Sequence, residues 1–306
     1  MTTIQSPNHP TTPSIAFFGT PRIAQIILKK LIATEFKPQL VITGHDKKSG
    51  RGQAFVPTSV KLEAQKSNIE VGYRMSDLDK GFDIAMLVAY GHIIPKAVLE
   101  LPKFGFLNVH PSLLPKYRGP SPIQSAILEG ETQTGVTIMK LDKELDHGPI
   151  LAQRKIPIDK KDTHETLMQK LAIVGADLLL EVLPHYLDGS QKPKQQNHSK
   201  ATLTQKITKE DGCIDLENPP SPQKLDRMIR AFYPWPGVYT KLKMKNEKLK
   251  IIKFLPNLPT ILQSYNPTDP FLLQPEGKKP MTIKEFLNGY QHLESQIRKL
   301  LGNQNL

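Results

Sequence analysis

The sequence predicts an α/β protein: a doubly wound, mostly parallel sheet, followed by a small β-barrel-like domain with helices. Three observations lead to this prediction. Apolar runs alternate with segments of helical periodicity over residues 14–188, as in βαβ units. The run "FDIAMLVAYG" is almost continuously apolar, as in parallel strands that are covered on both faces. After residue 202 the pattern changes to a hairpin and short helices.

The predicted strands and helices up to residue 110 are separated by short connections, apart from one longer polar loop. "SIAFFGTP" predicts a strand that enters a turn, and "RIAQIILKKLIA" predicts a helix with Pro21 in its first turn. "PQLVITG" predicts a second strand, and the polar loop "HDKKSGRGQAFVP" leads to a helix from about Thr58. "FDIAMLVAYG" and "FGFLNVH" predict further strands. In such a fold, ligands bind at the carboxyl ends of the strands.

From residue 121 onward, the predicted elements lead from the α/β pattern to a hairpin and short helices. "SPIQSAILEG" predicts a helix with Pro122 just inside its start, and Thr163 opens a long amphipathic helix over 163–188. "TGVTIMKL" and "GPILAQRKIPI" predict strands. "GVYTKLKMKNEKLKIIKF" predicts a β-hairpin, and "TILQS" and "PFLLQ" are short strand candidates. Helices are predicted in "SPQKLDRMIRAF", "MTIKEFLNGY" and "QHLESQIRKLL".

These changes of pattern predict four segments: a disordered tail at 1–13, the α/β domain at 14–188, a linker at 189–202 and a C-terminal domain at 203–306. The tail has no apolar core and does not resemble a signal peptide. No apolar run approaches the roughly 20 residues that span a bilayer. A single cysteine excludes an intramolecular disulfide and a cysteine-rich metal site. We therefore expect a soluble cytoplasmic protein.

The charge balance favours an anionic partner. The formal net charge is +12 and the sequence pI is about 9.5, which suits nucleic acid, an acidic lipid surface or a phosphorylated substrate. Charge alone fits a basic protein without such a partner equally well. Residues 201–306 carry 16 Lys and Arg against 10 Asp and Glu, so the positive charge is denser there than in the remainder. "FGTP" lacks the spaced glycines of a dinucleotide fingerprint, and no phosphate-binding glycine loop is present.

Polar side chains end the apolar run "FGFLNVH". Residues i and i+2 of a strand face the same side, so Asn108 and His110 are predicted to project together. Asn offers an amide donor, and His takes and returns protons near neutral pH. Asp142, Glu144 and Asp146 could each supply a carboxylate to orient the imidazole, and Asp146 is favoured because it precedes a new strand. Taken singly, each residue also fits a purely structural role. His110 could be a hydrogen-bonded histidine at a strand end, Asn108 could be a turn residue, and the acidic residues could belong to a solvated surface loop.

Five motifs are spread along the chain from about residue 14: "AFFGTP", "GRG…VPTSVK", "LVAYGHIIPKAVLELPKFGFLNVHPSLLPKYRGPSPIQ", "TGVTIMKLDKELDHGPIL" and "RAFYPWPG". Through them the chain resembles, from about residue 14 to past 290, the methionyl-tRNA formyltransferase family of the folate-dependent formyltransferase superfamily. It implies that Asn108, His110 and Asp146 are the catalytic residues. It also implies a folate site lined by the following residues: Val88, Ala89, Tyr90, Gly91, Ser112, Leu113, Leu114 and Pro115.

The reaction that the resemblance implies moves a formyl group from N10 of 10-formyltetrahydrofolate to a primary amine. The carbonyl oxygen gains negative charge in a tetrahedral intermediate, and one donor to it is typically worth about 10²–10³ in rate. The amine loses a proton and the folate nitrogen gains one, and acid–base help contributes about 10²–10⁴. Neither a metal nor a covalent enzyme intermediate is required.

Three features favour initiator methionyl-tRNA as the acceptor. The loop "KKSGRGQAFVPTSVK" resembles the family's basic insertion that contacts the acceptor stem, with Arg51, Lys47 and Lys48 as candidate contacts. A basic C-terminal domain follows, in which the alternate residues Lys241, Lys243 and Lys245 are predicted to share one face of the hairpin. "RAFYPWPG" matches as well, although Trp235 is interpreted as a packed corner. We expect a monomer.

The chain also departs from the family pattern. Ile23 stands where the family usually has Phe, "HDKKSGRG" replaces a proline-rich loop, and the stretch between "KIIKF" and "FLLQPEGKKPM" is short, which leaves open whether the barrel is complete. A sugar-nucleotide N-formyltransferase is the alternative enzyme, and it would act on an amino-sugar nucleotide rather than on methionyl-tRNA. A non-catalytic RNA-binding protein would bind tRNA without transferring a formyl group.

Overall fold

The chain divides into two compact units that interleave along the sequence. The computed structural model describes residues 12–49, 54–78, 81–243, 249–258, 261 and 269–302. Unit 1 contains the described residues up to Pro115 together with 135–154 and 171–201, and unit 2 contains 116–134, 155–170 and the described residues from 202 onward. The predicted boundaries of the α/β domain, the linker and the C-terminal domain are linear, and they stay a proposal.

Among the described residues before 158 there are nine strands. They are β1 (Ile15–Gly19), β2 (Leu40–Ile42), β3 (Lys47–Ser49), β4 (Ala54–Val56), β5 (Glu70–Gly72), β6 (Ile84–Val88), β7 (Phe106–His110), β8 (Gln133–Lys140) and β9 (Ile150–Pro157). Seven of them form one sheet in the order β5-β2-β1-β6-β7-β8-β9. The first five in this order pair in parallel, and β8 runs antiparallel to β7. The prediction of a mostly parallel, doubly wound sheet is therefore confirmed.

Eight α-helices accompany the strands in the described part of the chain. They are α1 (Arg22–Ile32), α2 (Ser59–Lys66), α3 (Lys96–Leu99), α4 (Pro122–Leu128), α5 (His164–Leu187), α6 (Pro222–Phe232), α7 (Ile283–Gly289) and α8 (Glu294–Leu300). The Thr58 hydroxyl accepts a hydrogen bond from the Lys61 amide at 3.1 Å and caps α2, as its sequence predicts. Among the described residues, no helix combines the length and the apolar character that a bilayer crossing requires.

Strand β1 lies inside the large sheet, between β2 and β6, and both of its faces are apolar. All five of its residues are buried, and β6 is almost as fully enclosed. Phe18 packs edge-on against Tyr90 with ring centroids 5.3 Å apart, and its ring also contacts Phe106 at 5.2 Å. These contacts join residues near the carboxyl ends of β1 and β6 to the first residue of β7.

The loop predicted over "HDKKSGRGQAFVP" is partly a strand pair. Strands β3 and β4 pair antiparallel, with Lys48 opposite Phe55. The prediction of a polar loop was therefore wrong for these two short strands. They pair through their backbones, and all three residues of β4 are exposed. Without a buried face, no alternation of apolar and polar residues marks the strands. Strand β5 was missed as well, since only three residues pair.

Unit 2 contains a three-stranded antiparallel sheet of β10 (Val238–Lys243), β11 (Leu249–Pro256) and β12 (Phe271–Pro275). The predicted hairpin is thus present, and the stretch from Lys245 to Lys248, where its turn is predicted, lies outside the described residues. The candidate strand "TILQS" lies outside them too, apart from Ile261, which is in a turn. These antiparallel strands and the helices that accompany them confirm the predicted fold class of the C-terminal domain.

Gly212 is required where the chain enters this sheet. A Cβ at this position would overlap the carbonyl oxygen of Gly237. The next residues then join β10, because the Ile214 amide donates to the Tyr239 carbonyl at 2.8 Å. We expect Gly212→Ala to lower the free energy of unfolding of unit 2 by about 1–3 kcal/mol, since a strained backbone must move. Urea unfolding followed by the fluorescence of Trp235, the single tryptophan, reports on this unit.

Gly289→Ala is the matched control in the same unit. No atom lies within 4 Å of a Cβ placed at Gly289, the last residue of α7. Alanine restricts the unfolded chain more than glycine, so this variant should be neutral or slightly stabilised. Equal unfolding midpoints for the two variants would contradict the packing argument.

Candidate active site

Strand β7 places two polar side chains at the carboxyl end of the sheet. Leu87 pairs with Asn108 on one side, and Thr137 pairs with His110 on the other. Asn108 is 6% exposed and His110 is 4% exposed, so both side chains are enclosed by protein. Buried polar groups are retained when they find partners, and their partner here comes from the loop between β8 and β9.

That partner is Asp146, which is itself only 8% exposed. Its Oδ1 accepts a hydrogen bond from Nδ2 of Asn108 at 3.3 Å. The same oxygen lies 3.4 Å from Nδ1 of His110. A carboxylate placed here orients the imidazole and stabilises the positive charge that the ring gains on taking up a proton. The structure thus brings together all three residues predicted to be catalytic.

The other two candidate carboxylates lie next to a different ring. Oδ2 of Asp142 is 2.7 Å from Nδ1 of His147, and Oε2 of Glu144 is 3.9 Å from the other nitrogen of that ring. The imidazole of His147 also stacks on His198, with centroids 4.0 Å apart and planes 4° from parallel. Among the three acidic residues weighed from the sequence, Asp146 is the one placed to orient His110.

The proline-rich segment after β7 is held by side chains that sequence reasoning missed. The Thr137 hydroxyl accepts from the Leu114 amide at 3.1 Å and donates to the Ser112 carbonyl at 2.7 Å. The amide of Gln153 donates to the Leu114 carbonyl and to the Thr137 hydroxyl, both at 2.8 Å. Ser112 and Leu114 are buried, whereas Leu113 and Pro115 are half-buried. The predicted folate segment is therefore a fixed turn.

Gln196 was also missed, since it lies in the stretch predicted to be a linker. Its side chain is 6% exposed and donates to two backbone carbonyls of the loop that carries Asp146. No local pattern marks such a residue, because a glutamine within a polar stretch looks like any solvated one. Only the register between strands and loops reveals Thr137, Gln153 and Gln196.

The end of β6 adjoins β7 and leaves open space. Val88 is buried, and Ala89 and Gly91 follow with positive φ angles of 45° and 80°. Tyr90 points into the core, and this burial raises the pKa of its hydroxyl. No heavy atom lies within 4 Å of a Cβ built at Gly91. A flat ring therefore has room beside exposed backbone, so the residues present fit a pterin.

The basic candidates of the predicted insertion lie on the β3–β4 ribbon. Lys47 and Lys48 are exposed, and Nζ of Lys48 lies 5.7 Å from the ring centroid of Phe55. Phe55 itself is 68% exposed, which is unusual for an aromatic residue that only fills space. Arg51 lies outside the described residues. The ribbon thus presents cationic and aromatic groups together, a combination that suits RNA.

The register of the hairpin decides which of its described lysines share a face. Lys241 pairs with Ile251, and Tyr239 pairs with Lys253, so Lys241 and Lys253 lie on the same side of the hairpin. Lys250 pairs with Leu242 and lies on the opposite side. Lys243 ends β10, and Lys245 lies outside the described residues. Lys253 was not among the predicted contacts because the register of the hairpin cannot be read from lysine spacing alone.

Comparison with known proteins identifies the family. Residues 14–183 match the model of the formyl transferase domain, and residues 206–261 match that of the formyl transferase C-terminal domain. Methionyl-tRNA formyltransferase of Thermodesulfovibrio yellowstonii is 40% identical over 300 residues, which is 90% of this chain and 95% of the relative. The enzyme of the same name from Enterococcus faecalis is 38% identical over 300 residues, with 90% and 95% covered.

Solved structures with the same fold are more distant. A 4-N formyltransferase from Francisella tularensis superimposes with a TM-score of 0.61 at 20% identity and covers 78% of this chain and 95% of its own. An N-formyltransferase from Helicobacter canadensis, solved with folinic acid and dTDP-3-aminofucose, gives a TM-score of 0.60 at 21% identity, with 88% and 98% covered. At this identity the likeness extends to the fold alone.

In the described ranges, no cluster of three or more His, Cys, Asp or Glu could hold a metal ion.

Thr137 is the residue on which the fixed turn depends. Thr137→Val should lower the free energy of unfolding of unit 1 by about 1–3 kcal/mol, because buried donors at Leu114 and Gln153 lose their acceptor. Thr137→Ser retains the hydroxyl and should lose much less. Amide hydrogen exchange at Leu114 measures the effect directly. Exchange that is equally slow in both variants would show that the hydroxyl does not hold the turn.

Proposed function

Because the chain belongs to the methionyl-tRNA formyltransferase family, we propose that it uses Asn108, His110 and Asp146 to formylate the amino group of methionyl-tRNA. Membership makes the chain an enzyme that transfers one-carbon formyl groups and uses a folate co-substrate. Relatives named methionyl-tRNA formyltransferase align with 90% of the chain and support methionyl-tRNA as the acceptor. We propose that this acceptor is the initiator tRNA used to begin translation. The observation that carries the proposal is the convergence of Asn108 and His110 on Oδ1 of Asp146.

Asn108 is suited to stabilise negative charge. Its amide has two hydrogens, and the bond to Asp146 orients the group, since only the nitrogen end can donate to a carboxylate. The other hydrogen can then donate to a carbonyl oxygen that gains charge during transfer. The donor is held before the reaction begins, in a site from which water is largely excluded, so little reorganisation is required.

His110 is suited to move the proton. The acceptor amine must lose a proton as its nitrogen bonds to the formyl carbon, and the nitrogen that leaves must gain one. Nδ1 of His110 faces Asp146, so the opposite ring nitrogen is the one that can exchange a proton with the reactants. Asp146 fixes the ring orientation and balances the imidazolium charge.

The folate co-substrate supplies the activated formyl group when it is bound. We propose that the eight predicted residues hold it: Val88, Ala89, Tyr90, Gly91, Ser112, Leu113, Leu114 and Pro115. Support comes from their position, since both stretches follow directly on the carboxyl ends of β6 and β7. The open space at Gly91 and the fixed turn from Ser112 to Pro115 suit a flat, rigid ligand.

Contacts to the tRNA are proposed on both units. On unit 1 they are Lys47, Lys48 and Arg51. On unit 2 they are Lys241, Lys243 and Lys245, to which the register of the hairpin adds Lys253. Further proposals are a catalytic domain at 14–188, a linker at 189–202, a tRNA-binding domain at 203–306, a monomeric state and a cytoplasmic location.

Incubation with labelled 10-formyltetrahydrofolate and methionyl-tRNA tests the function. We expect labelled formylmethionyl-tRNA from the wild-type chain. Transfer to an amino-sugar nucleotide in place of methionyl-tRNA would favour the alternative enzyme. Folate and tRNA binding without any transfer would identify a binding protein.

Loss of the catalytic residues should affect turnover and not folate binding. His110→Ala and Asp146→Asn are each expected to lower kcat by at least about a hundredfold, because proton transfer and charge stabilisation are lost. Folate affinity, measured by calorimetry, should change little. Glu144→Gln removes an exposed charge from the same loop and serves as the control. Turnover near that of the control in either variant would refute the assigned roles.

Lysines on one face of the hairpin should contribute to tRNA affinity. Each phosphate contact releases counterions, so the double variant Lys241→Gln, Lys253→Gln should reduce the slope of log K against log salt by about 2. The matched control, Lys278→Gln with Lys279→Gln, removes the same charge from an exposed turn after β12. An equal change of slope in both double variants would show that tRNA affinity depends on net charge and not on this face of the hairpin.

A further inference from the structure

The 194–200 segment packs against the loop that carries Asp146. Its first residue forms a two-way backbone bridge, because Lys194 and Ile150 each donate an amide to the other's carbonyl at 2.7 Å. Just before it, the side-chain Nε2 of Gln191 donates to the Leu151 carbonyl, also at 2.7 Å. The segment is therefore aligned with the start of β9, immediately after the loop that contains the carboxylate.

Gln196 makes the central contact of this segment. Its side-chain nitrogen donates to the carbonyl oxygens of Asp146 at 2.9 Å and of Gly148 at 2.7 Å. Both acceptors are carbonyls, so the NH₂ end of the amide must face them, and its two hydrogens match the two acceptors. The side chain is buried, and water therefore does not compete for these bonds.

The loop requires such support because of its backbone. Asp146 has a φ of +48°, a left-handed conformation that costs a residue with a side chain about 1–3 kcal/mol. On the far side, Gly148 packs so closely that a Cβ would overlap the Lys140 carbonyl, and the Lys140 amide donates to the Pro149 carbonyl at 2.9 Å. The strained turn is thus held between the end of β8 and Gln196.

A second contact holds the same turn. The His147 ring forms a hydrogen bond through Nδ1 to the carboxylate of Asp142, which accepts it at 2.7 Å, and stacks on His198 of the 194–200 segment. Asp146 and His147 are consecutive, so Gln196 and His198 contact the turn at adjacent residues. The side chain of Asp146 is thereby directed toward Asn108 and His110.

We propose that Gln196 is a positioning residue for the transfer reaction and acts through Asp146; this rests on the proposed function. The distances of 3.3 and 3.4 Å from Oδ1 of Asp146 are already long for hydrogen bonds. A shift of the loop by about 1 Å would break both contacts, and misplacement of that size can cost about 10² in rate. Gln196 does not contact the reacting atoms in this role.

Gln196→Glu tests the proposal, with Gln195→Glu as the matched control. Both variants exchange an amide for a carboxylate, but Gln195 is exposed, whereas Glu at 196 would face two carbonyl oxygens without a hydrogen to donate. We expect kcat for formylmethionyl-tRNA synthesis to fall about ten- to a hundredfold in Gln196→Glu alone. KM for the folate co-substrate should stay within about twofold, since the two carbonyls that Gln196 holds belong to the Asp146 loop and not to the folate segments. Equal kcat in the two variants would overturn the proposal.

Gln196→Met keeps the length of the side chain and separates positioning from folding. Should Gln196→Glu not fold, this neutral variant replaces it, and a thermal melt close to that of wild type verifies the fold. A measurement without turnover completes the test: the side-chain NH₂ of Asn108, which donates to Asp146, should exchange with solvent faster in Gln196→Met than in wild type. Unchanged exchange would overturn the proposal.

These outcomes are distinct from failure of the proposed function. If wild type and Gln195→Glu both failed to formylate methionyl-tRNA, the acceptor assignment would fall. The exchange of the Asn108 amide would still decide whether Gln196 positions Asp146.

Discussion

One carboxylate oxygen, Oδ1 of Asp146, is shared by two side chains from the same face of β7, and the arrangement of the site depends on it. Asn108, His110 and Asp146 are each less than a tenth exposed. Burying such groups is costly unless they satisfy one another, so the three are stable only together. The strained turn at Asp146, the close packing of Gly148 and the buried Gln196 all follow from the need to bring this one oxygen to β7.

The proposed catalysis and the proposed tRNA binding depend on different kinds of interaction. In unit 1, buried side chains hold backbone carbonyls and amides at fixed positions, as Thr137, Gln153 and Gln196 do. Catalysis then depends on geometry, and single substitutions have large effects. Lys47 and Lys48 of the β3–β4 ribbon are exposed, as are Lys241 and Lys253 of the hairpin, and each contributes mainly charge. Affinity for a polyanion is a sum over many such groups, so it should fall gradually as lysines are removed.

The interleaving of the units changes how the C-terminal part can be tested. Arg118, three residues after the fixed turn, exchanges backbone hydrogen bonds with Thr202 and Thr204 at 2.9 and 2.7 Å. The Tyr117 amide also donates to the Thr202 hydroxyl at 2.8 Å. Truncation after residue 202 would therefore leave the segment 116–134 without the residues on which it packs. Point substitutions on the hairpin separate tRNA binding from folding more cleanly than such a truncation.

By itself, the sequence determined the alternation of strands and helices, the buried character of β1 and β6, the pairing of Asn108 with His110 on one face and the family. These depend on local periodicity and on contiguous motifs, which a chain carries regardless of its partners. Only the tertiary structure decided which of three acidic residues meets His110, that Thr137 and Gln196 hold the turns, and that Lys253 rather than Lys250 shares a face with Lys241. The reason is physical: each of these depends on register and loop closure between residues distant in sequence, and a polar residue in a loop looks the same whether it is solvated or buried.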